Sequence, residues 1–370
     1  IITNGSDGID ASNCTSLQLK NMTLHSNSNG LVADNCDYSI IDSTSIYSNG
    51  YGAKWDNSDS VLIKNSTMIN NNTSAGLYLS STQGRIVDAT IDGNARGIQF
   101  LSSSGDDLTL RRVSVTNNSG GNGAGLYISN ATTSMSVTVS DCRFTGNTAQ
   151  SGYQGGGIYS SNNSLTITGT RFNNNYGGNG GAAIYISSSD ATPSITDCYF
   201  IGNDGSSSYG STIRTAADIN ITDCVFLNNN DNIFGGTNTY STSATITVLN
   251  SIVWQNTMMY SSWTNMNLTA TYSCIEEVYS GVGNVSSNPQ FCNPFADTLS
   301  LASGSPLIGT GWYNENIGGL SSGCVNPTSL FYVSSTGSAS GSGTITNPLS
   351  SFTTNLLSNG DTLLLLPGTY

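Results

Sequence analysis

Ten hydrophobic residues each have an asparagine three positions downstream: Leu24/Asn27, Ile46/Asn49, Met68/Asn71, Ile91/Asn94, Val115/Asn118, Phe144/Asn147, Phe172/Asn175, Phe200/Asn203, Phe226/Asn229 and Val253/Asn256. Successive anchors lie 22 to 29 residues apart. At that period one unit is a single supersecondary turn, able to bury its apolar face only against the turns beside it. The pattern predicts a solenoid.

Aligned on their anchors, the units carry apolar or small residues at minus 7, minus 5, minus 2 and zero. Ile219, Ile221, Cys224 and Phe226 fill these places in one turn, and Leu165, Ile167, Thr170 and Phe172 in another. Steps of two are strand alternation, and the step of three between the pairs marks a corner where the inward face is reset. A third strand follows the asparagine and a variable Gly-rich loop, as in Gly76-Leu77-Tyr78-Leu79, Gly125-Leu126-Tyr127-Ile128, Gly157-Ile158-Tyr159 and Ala183-Ile184-Tyr185-Ile186. Three short strands per turn and no amphipathic helical stretch predict an all-β parallel β-helix of about ten or more turns.

The repeated asparagine has a physical role in such a stack. Equivalent residues of successive turns lie about 4.8 Å apart, so each side-chain amide can donate to one neighbour and accept from the other. A buried amide is costly unless paired, which predicts an inward stack of Asn27, Asn49, Asn71, Asn94, Asn118, Asn147, Asn175, Asn203, Asn229 and Asn256. Asparagine is also common in turns, but turn preference alone would not hold one register over ten units.

The unbroken period argues for one elongated body, residues 1–287, rather than several ordinary domains. Only 9% of residues are charged and the net charge is −13, with ten Lys and Arg scattered along the chain. No basic stripe exists for nucleic acid or an anionic membrane, and no apolar run is long enough for a membrane span.

Asn-x-Ser/Thr acceptors occur at Asn4, Asn13, Asn21, Asn65, Asn71, Asn72, Asn117, Asn130, Asn162, Asn220, Asn267 and Asn284, which points to the secretory pathway and to an extracellular or cell-surface location. Asn71 belongs to the buried stack, so Asn72 is the expected acceptor of that pair. Eight cysteines point the same way. Cys14 and Cys36 both stand ten residues before an anchor in adjacent turns. Cys142, Cys198 and Cys224 share the inward minus 2 place, and Cys142, two turns from Cys198, is out of disulfide range. The disulfide candidates are therefore Cys14, Cys36, Cys198, Cys224, Cys274, Cys292 and Cys324. The competing reading is of stacked buried thiols.

From Asn288 the chain reads Asn-Pro-Gln-Phe, then Leu299-Ser-Leu-Ala-Ser-Gly-Ser-Pro-Leu-Ile, then Asn316-Ile317-Gly318. This resembles the closing segment of secreted right-handed parallel β-helix proteins of the pectate-lyase-like superfamily. Phe331-Tyr-Val-Ser-Ser-Thr-Gly-Ser, Asn347-Pro348 and Ser358-Asn-Gly-Asp-Thr-Leu-Leu-Leu-Leu-Pro-Gly-Thr-Tyr resemble the opening segment of the same superfamily. The resemblance implies a right-handed helix over 1–287, a closing segment and joint over 288–328, and at 329–370 the start of a following module. It implies tandem modules, or copies of the chain, placed end to end.

Such a fold hosts enzymes, adhesins and inert surface proteins alike. Polygalacturonase-like members need paired aspartates, a Gly-His-Gly and an Arg-x-Lys, whereas this chain has one histidine, His25, in Leu-His-Ser. Lyase-like members need a calcium-binding carboxylate cluster and a basic residue as base. Asp106-Asp107 and Glu276-Glu277 are sequence neighbours, which point to opposite faces of a strand. Asp197 above Asp223, with Asp141 two turns away, could share a calcium ion. The same place holds Asn21, Ser43, Asn65, Asp88 and Asn250, so a bend role is the stronger reading. Arg111-Arg112 reads as strand-exit surface. We therefore expect no catalytic residues, no metal and no cofactor apart from covalent glycans. The chain reads as a non-enzymatic extracellular structural protein forming a fibre, stalk or coat. An adhesin or glycan-binding protein is the second reading, and a carbohydrate-active lyase or hydrolase the third. Tyr78, Tyr127, Tyr159 and Tyr185 share the outward place of the third strand and form a candidate contact stripe of exposed rings, which would suit a sugar face or a laterally packed filament.

Overall fold

A computed structural model describes residues 1–69, 74–102, 105–130, 135–161, 164–189, 191, 193–205, 210–237, 244–260, 266–292, 299–324, 330–338, 348–350 and 362–366. Ile1–Ser287 with Gly309–Gly319 form one unit, and Asn288–Ile308 with Leu320–Tyr370 form another.

In the first unit a twelve-stranded sheet and two eleven-stranded sheets run along a stack of turns, and every strand pairs in parallel with its equivalents one turn away. The first sheet carries the anchors. It begins at Ile2–Thr3 and ends at Cys274–Ile275, adding a turn beyond each end of the ten that the Asn pattern marks. Ile2 pairs with Leu24 and Ile275 with Val253, so both are anchors. Their third following residues are Gly5 and Val278, which is why the pattern misses them. The second sheet holds the Gly-x-Tyr-x strands and the third the minus 7 and minus 5 strands, such as Ile219–Thr222.

The corner three residues before each anchor is left-handed: Asn21, Ser43, Asn65, Asp88, Arg112, Asp141, Gly169, Asp197, Asp223 and Asn250 all have φ between 49° and 57°. Asn, Asp and Gly tolerate that conformation best. Backbone geometry thus accounts for the aspartates of this column.

Inside, the carboxamides close on one another. Asn175 Oδ1 accepts the main-chain N–H of Asn147 at 3.1 Å and its Nδ2 at 3.0 Å. Its own Nδ2 donates to Phe144 O at 2.9 Å and to Asn203 Oδ1 at 3.0 Å. The same side-chain rung joins Asn27 to Asn49, and joins Asn94, Asn118, Asn147, Asn175, Asn203, Asn229 and Asn256 in sequence. Asn71 lies outside the described residues. At the amino-terminal end Asn27 Oδ1 takes the Gly5 N–H at 2.9 Å. Beside this ladder the anchor rings of Phe144, Phe172, Phe200 and Phe226 stack nearly parallel, with centroids 5.2, 5.0 and 4.6 Å apart, and all are fully buried.

The minus 2 position holds a second polar ladder that the apolar-or-small reading does not distinguish. Ser66, Thr170 and Ser251 donate their hydroxyls to the carbonyls two residues back, of Lys64, Thr168 and Leu249. They accept the N–H of Thr44, Cys142 and Cys224 from the turn before. Cys142, Cys198 and Cys224 take the same place, and their thiols point at Ser140 O, Thr196 O and Thr222 O at 3.2, 3.1 and 3.2 Å. This corrects the disulfide candidacy of Cys198 and Cys224: both are free and buried, because their sulfurs substitute for ladder hydroxyls. Cys274 is also free, aimed at Ser287 O. Burial pushes the Cys142 thiol up to about 12 and that of Cys274 to about 11. Cys14 and Cys36 are bonded across adjacent turns, Cα to Cα 4.5 Å, within the usual range. Cys292 is disulfide-bonded as well, and the side chain of Cys324 lies outside the described residues.

The last turn is covered by residues 276–287. Tyr279 donates its hydroxyl to Leu268 O at 2.6 Å, and Asn284 donates Nδ2 to Ala270 O at 2.9 Å while its Oδ1 accepts the Ser273 N–H at 3.0 Å. An open strand edge would otherwise present these groups unpaired. The stretch 309–319, read from sequence as part of a closing segment, folds with this unit. Its Gly318 N–H and Trp312 N–H bond to Asn250 O and Oδ1.

The outward face of the third sheet changes character along the stack. In its first turns it carries Lys20, Asp42, Lys64, Arg85 and Arg111. From the strand Ser136–Ser140 onward its rows read Thr138-Val-Ser140, Thr166-Ile-Thr168, Ser194-Ile-Thr196, Asn220-Ile-Thr222, Thr247-Val-Leu249 and Thr269-Ala-Thr271, with the middle residue inward. In the second unit, Leu301–Ala302 pairs with Ser322–Cys324 and Leu330–Ser338 pairs with Thr362–Leu365, both in parallel.

Candidate functional site

Strand alternation places Lys54, Tyr78, Gln99, Tyr127, Tyr159, Tyr185 and Arg214 in one in-register column on the outward face of the second sheet. The rings of Tyr127, Tyr159 and Tyr185 stack at 5.3 Å with interplanar angles of 16° and 9°. Arg96 lies over the Tyr127 ring at 4.7 Å and Arg214 over Tyr185 at 5.7 Å, while Lys54 stands 5.4 Å above Tyr78 and pairs with Asp56 at 2.9 Å. The column is a three-ring stack with a guanidinium at each end, a favourable cation–π arrangement.

The Gly-rich loops explain why the rings are half-buried rather than exposed. Gly123, Gly155 and Gly181, each four residues before a tyrosine, have φ of 62°, 71° and 65°. A Cβ there would lie 2.5, 2.5 and 2.7 Å from the carbonyl oxygens of Leu126, Ile158 and Ile184, so only glycine lets the loop turn this close to the column. The loops also hold the cations. Arg96 Nε donates to Asn122 O at 3.2 Å and its Nη1 to Gln99 Oε1 at 2.8 Å, and Arg214 Nη1 donates to Asn179 O at 2.7 Å. Burial lowers the pKa of Arg96 and raises that of Tyr185, the latter partly offset by the Arg214 charge.

This corrects the expectation of an exposed stripe. The faces of Tyr127, Tyr159 and Tyr185 stack on one another and on the guanidinium groups of Arg96 and Arg214, which leaves the rings half-buried. Sequence reasoning found the tyrosines by register but missed Arg96, whose side chain reaches the column from three residues before Gln99. For Tyr159→Ser we expect a loss of about 2 kcal/mol, from two ring contacts at roughly 0.5–1.5 kcal/mol each plus lost burial. Thermal unfolding measures it, and an unchanged glycan-array profile is expected alongside.

The remaining candidates are dispersed. His25 stacks on Tyr47 at 4.9 Å with Nδ1 near Ser26 Oγ. Arg112 makes a two-point pair with Asp88 at 2.6 and 2.7 Å, and Arg111 is exposed. Asp106 accepts from Ser102 Oγ within its own loop, and Asp107 accepts the N–H of Ser136 from the next turn. Glu276 accepts the Gln255 N–H at 2.6 Å, beside a cavity of about 240 Å³ lined by Val253, Asn256, Met259, Ile275, Glu276 and Glu277. Burial raises the Asp197 pKa, with Asp223 and Glu315 adding to it, and Asp223 accepts the Asn250 amide. Among the described residues no group of three His, Cys, Asp or Glu is placed to hold a metal ion.

Residues 1–137 match the family model described as a right handed beta helix region. The parallel sheets of the described residues agree with that match, since they form an all-β parallel β-solenoid, a fold with which the pectate-lyase-like superfamily is consistent. No curated protein matches the chain. Among solved structures it is similar to a chain named Geobacillus virus E2 ORF18, at 14% identity and a TM-score of 0.42, over 75% of this chain and 54% of that one. The chain therefore spans about half the length of that protein, and the likeness carries no argument about activity.

Proposed function

We propose that this protein is a glycosylated, non-enzymatic structural element outside the cell, a fibre, stalk or coat component whose partners are β-helix modules like itself. The observation that carries this reading is the internal Asn ladder, which invests the buried polar chemistry of the fold in holding turns in register. The Cys14–Cys36 bond is the pattern of an oxidising compartment, and among the described residues no helix is long and apolar enough to cross a membrane.

The acceptors at left-handed corners, Asn4, Asn13, Asn21, Asn65 and Asn117, are exposed. Asn220 and Asn267 are exposed on the third sheet. Asn72 and Asn162 lie outside the described residues, as does the side chain of Asn130. The side-chain nitrogens of Asn65 and Asn117 donate only to carboxylates at exposed sites, Asp42 and Asp92, whereas that of Asn284 donates to two part-buried main-chain carbonyls, Ala270 O and Tyr279 O. Site-resolved glycopeptide mass spectrometry is expected to find sugar on Asn21, Asn65 and Asn117 and none on Asn284. Occupancy at Asn284 would contradict its role at the strand edge.

Negative-stain imaging of native material tests the structural assignment. Filaments or regular arrays of stacked modules support it. Dispersed short particles, together with turnover of acidic polysaccharides by the purified chain, would replace it with the enzyme reading.

A further inference from the structure

We infer that the carboxyl-terminal end of the Asn ladder is an open socket for the side-chain carboxamide of an Asn or Gln on a basic segment of another polypeptide. The preceding rungs define what the socket accepts. From Asn118 to Asn256 each ladder Asn donates Nδ2 to the anchor carbonyl one turn back, that of Ile91, Val115, Phe144, Phe172, Phe200 or Phe226. Its Oδ1 accepts the main-chain N–H of the Asn one turn back. Every carboxamide thus satisfies one acceptor and one donor of the turn before it.

The ladder stops one rung short of the sheet. The last anchor, Ile275, pairs with Val253, but the residue three positions on is Val278, which is 92% exposed. The chain has left the stack by then. The Gln255 N–H, whose equivalent at Asn228 bonds to Trp254 O, goes instead to the Glu276 carboxylate at 2.6 Å. Among the described residues Val253 O receives only the Glu276 N–H, and the Asn256 N–H has no partner. These are the acceptor and the donor that a carboxamide serves at the rungs before. Both residues line the cavity of about 240 Å³, whose other walls are Met259, Ile275, Glu276 and Glu277. That volume lies just below the about 300 Å³ at which ligand pockets begin, and it admits a side-chain amide with the backbone that carries it.

Chemistry and charge select the occupant. A carboxylate would set a second acceptor against Val253 O, and an apolar side chain would leave both main-chain groups unpaired. Straight continuation by a second copy brings no carboxamide, because the residue three after its first anchor, Ile2, is Gly5. Glu276 and Glu277 are exposed at the mouth. This negative rim repels a chain of net charge −13 and attracts a segment with Lys or Arg beside its Asn or Gln.

The inference goes beyond the structural role. The test uses the full chain and methylamide-capped peptides Gly-Lys-X-Lys-Gly in which X is Asn, Asp or Leu, with calorimetry for affinity and amide hydrogen exchange for the place of binding. We expect the Asn peptide to bind and the other two to bind about tenfold more weakly or worse. Saturation with the Asn peptide should slow exchange of the Asn256 N–H and leave that of Asn27 as it was. Glu277→Lys, at an exposed site, should weaken the Asn peptide about tenfold at low salt with an unchanged unfolding temperature. Met259→Trp should block binding by filling the cavity; if it does not fold, Glu277→Lys and the peptide series carry the test. Equal affinity of the Asn and Leu peptides overturns the proposal. So does an absence of binding at millimolar peptide, or Asn256 exchange that the peptide leaves unchanged. Self-association of the chain that Glu277→Lys relieves would give the socket to a second copy and overturn the basic partner. Filament formation by Met259→Trp is expected to be normal, so this result and the structural assignment fail separately.

Discussion

Asn175→Ala is expected to destabilise the β-helix by about 4 kcal/mol, close to the upper limit for a single polar truncation. Removing the carboxamide takes a partner from three groups, leaving the main-chain N–H and one Nδ2 hydrogen of Asn147 unpaired and depriving the Phe144 carbonyl of a donor. All three are sealed from water, since Asn147 and Phe144 are fully buried. Each unpaired buried group costs about 1–3 kcal/mol before relaxation. The same change at Asn27, where the ladder ends on Gly5 and the site is 7% exposed, should cost about 1 kcal/mol, the net worth of an ordinary hydrogen bond. Native-state hydrogen exchange of the Asn147 and Asn175 amides is the measurement of choice, because a solenoid opens locally as well as globally. Equal effects at Asn27 and Asn175 would show that the ladder is decorative.

Phe200→Ala is the second large effect, at about 3–5 kcal/mol. The ring is held between Phe172 and Phe226 at 5.0 and 4.6 Å. The strands above and below are tied to their neighbours by backbone hydrogen bonds at a spacing of about 4.8 Å, so the turns cannot close over the void. A site that cannot collapse keeps the full cavity cost. Phe200→Leu refills most of the volume and should recover all but about 1.5 kcal/mol. Denaturant unfolding of the three proteins gives the comparison. An Ala variant no worse than the Leu variant would mean that the stack is loosely packed.

Much of this architecture is legible without coordinates because a parallel stack makes each turn solve the same problem. An inward residue at Phe172 faces its equivalents at Phe144 and Phe200, so the side chain that suits one rung suits the next, and the repeat writes itself into the chain. The terminal turns escape this logic, because Ile2 and Ile275 anchor strands without an Asn to mark them. The Asp column at the corner was legible as a bend. That the bend is left-handed, and hence that Asp141, Asp197 and Asp223 serve the backbone first, came from the dihedral angles.

The sequence alone determined which residues share a rung: anchor with anchor, Asn with Asn, Tyr127 with Tyr159, Cys14 with Cys36. Strand alternation and a fixed repeat leave only one register that buries the apolar set. Tertiary structure decided what the rungs do to one another. It set the sulfurs of Cys198 and Cys224 into a hydroxyl ladder rather than a bond. It folded Gly-rich loops of unequal length against the tyrosine column, so that its ring faces are spent on neighbours and on Arg96 and Arg214. It also placed the charged and hydroxyl-bearing rows of the third sheet end to end on one face. Such outcomes depend on lateral distances between chain segments far apart in sequence, and periodicity along the chain carries no information about them.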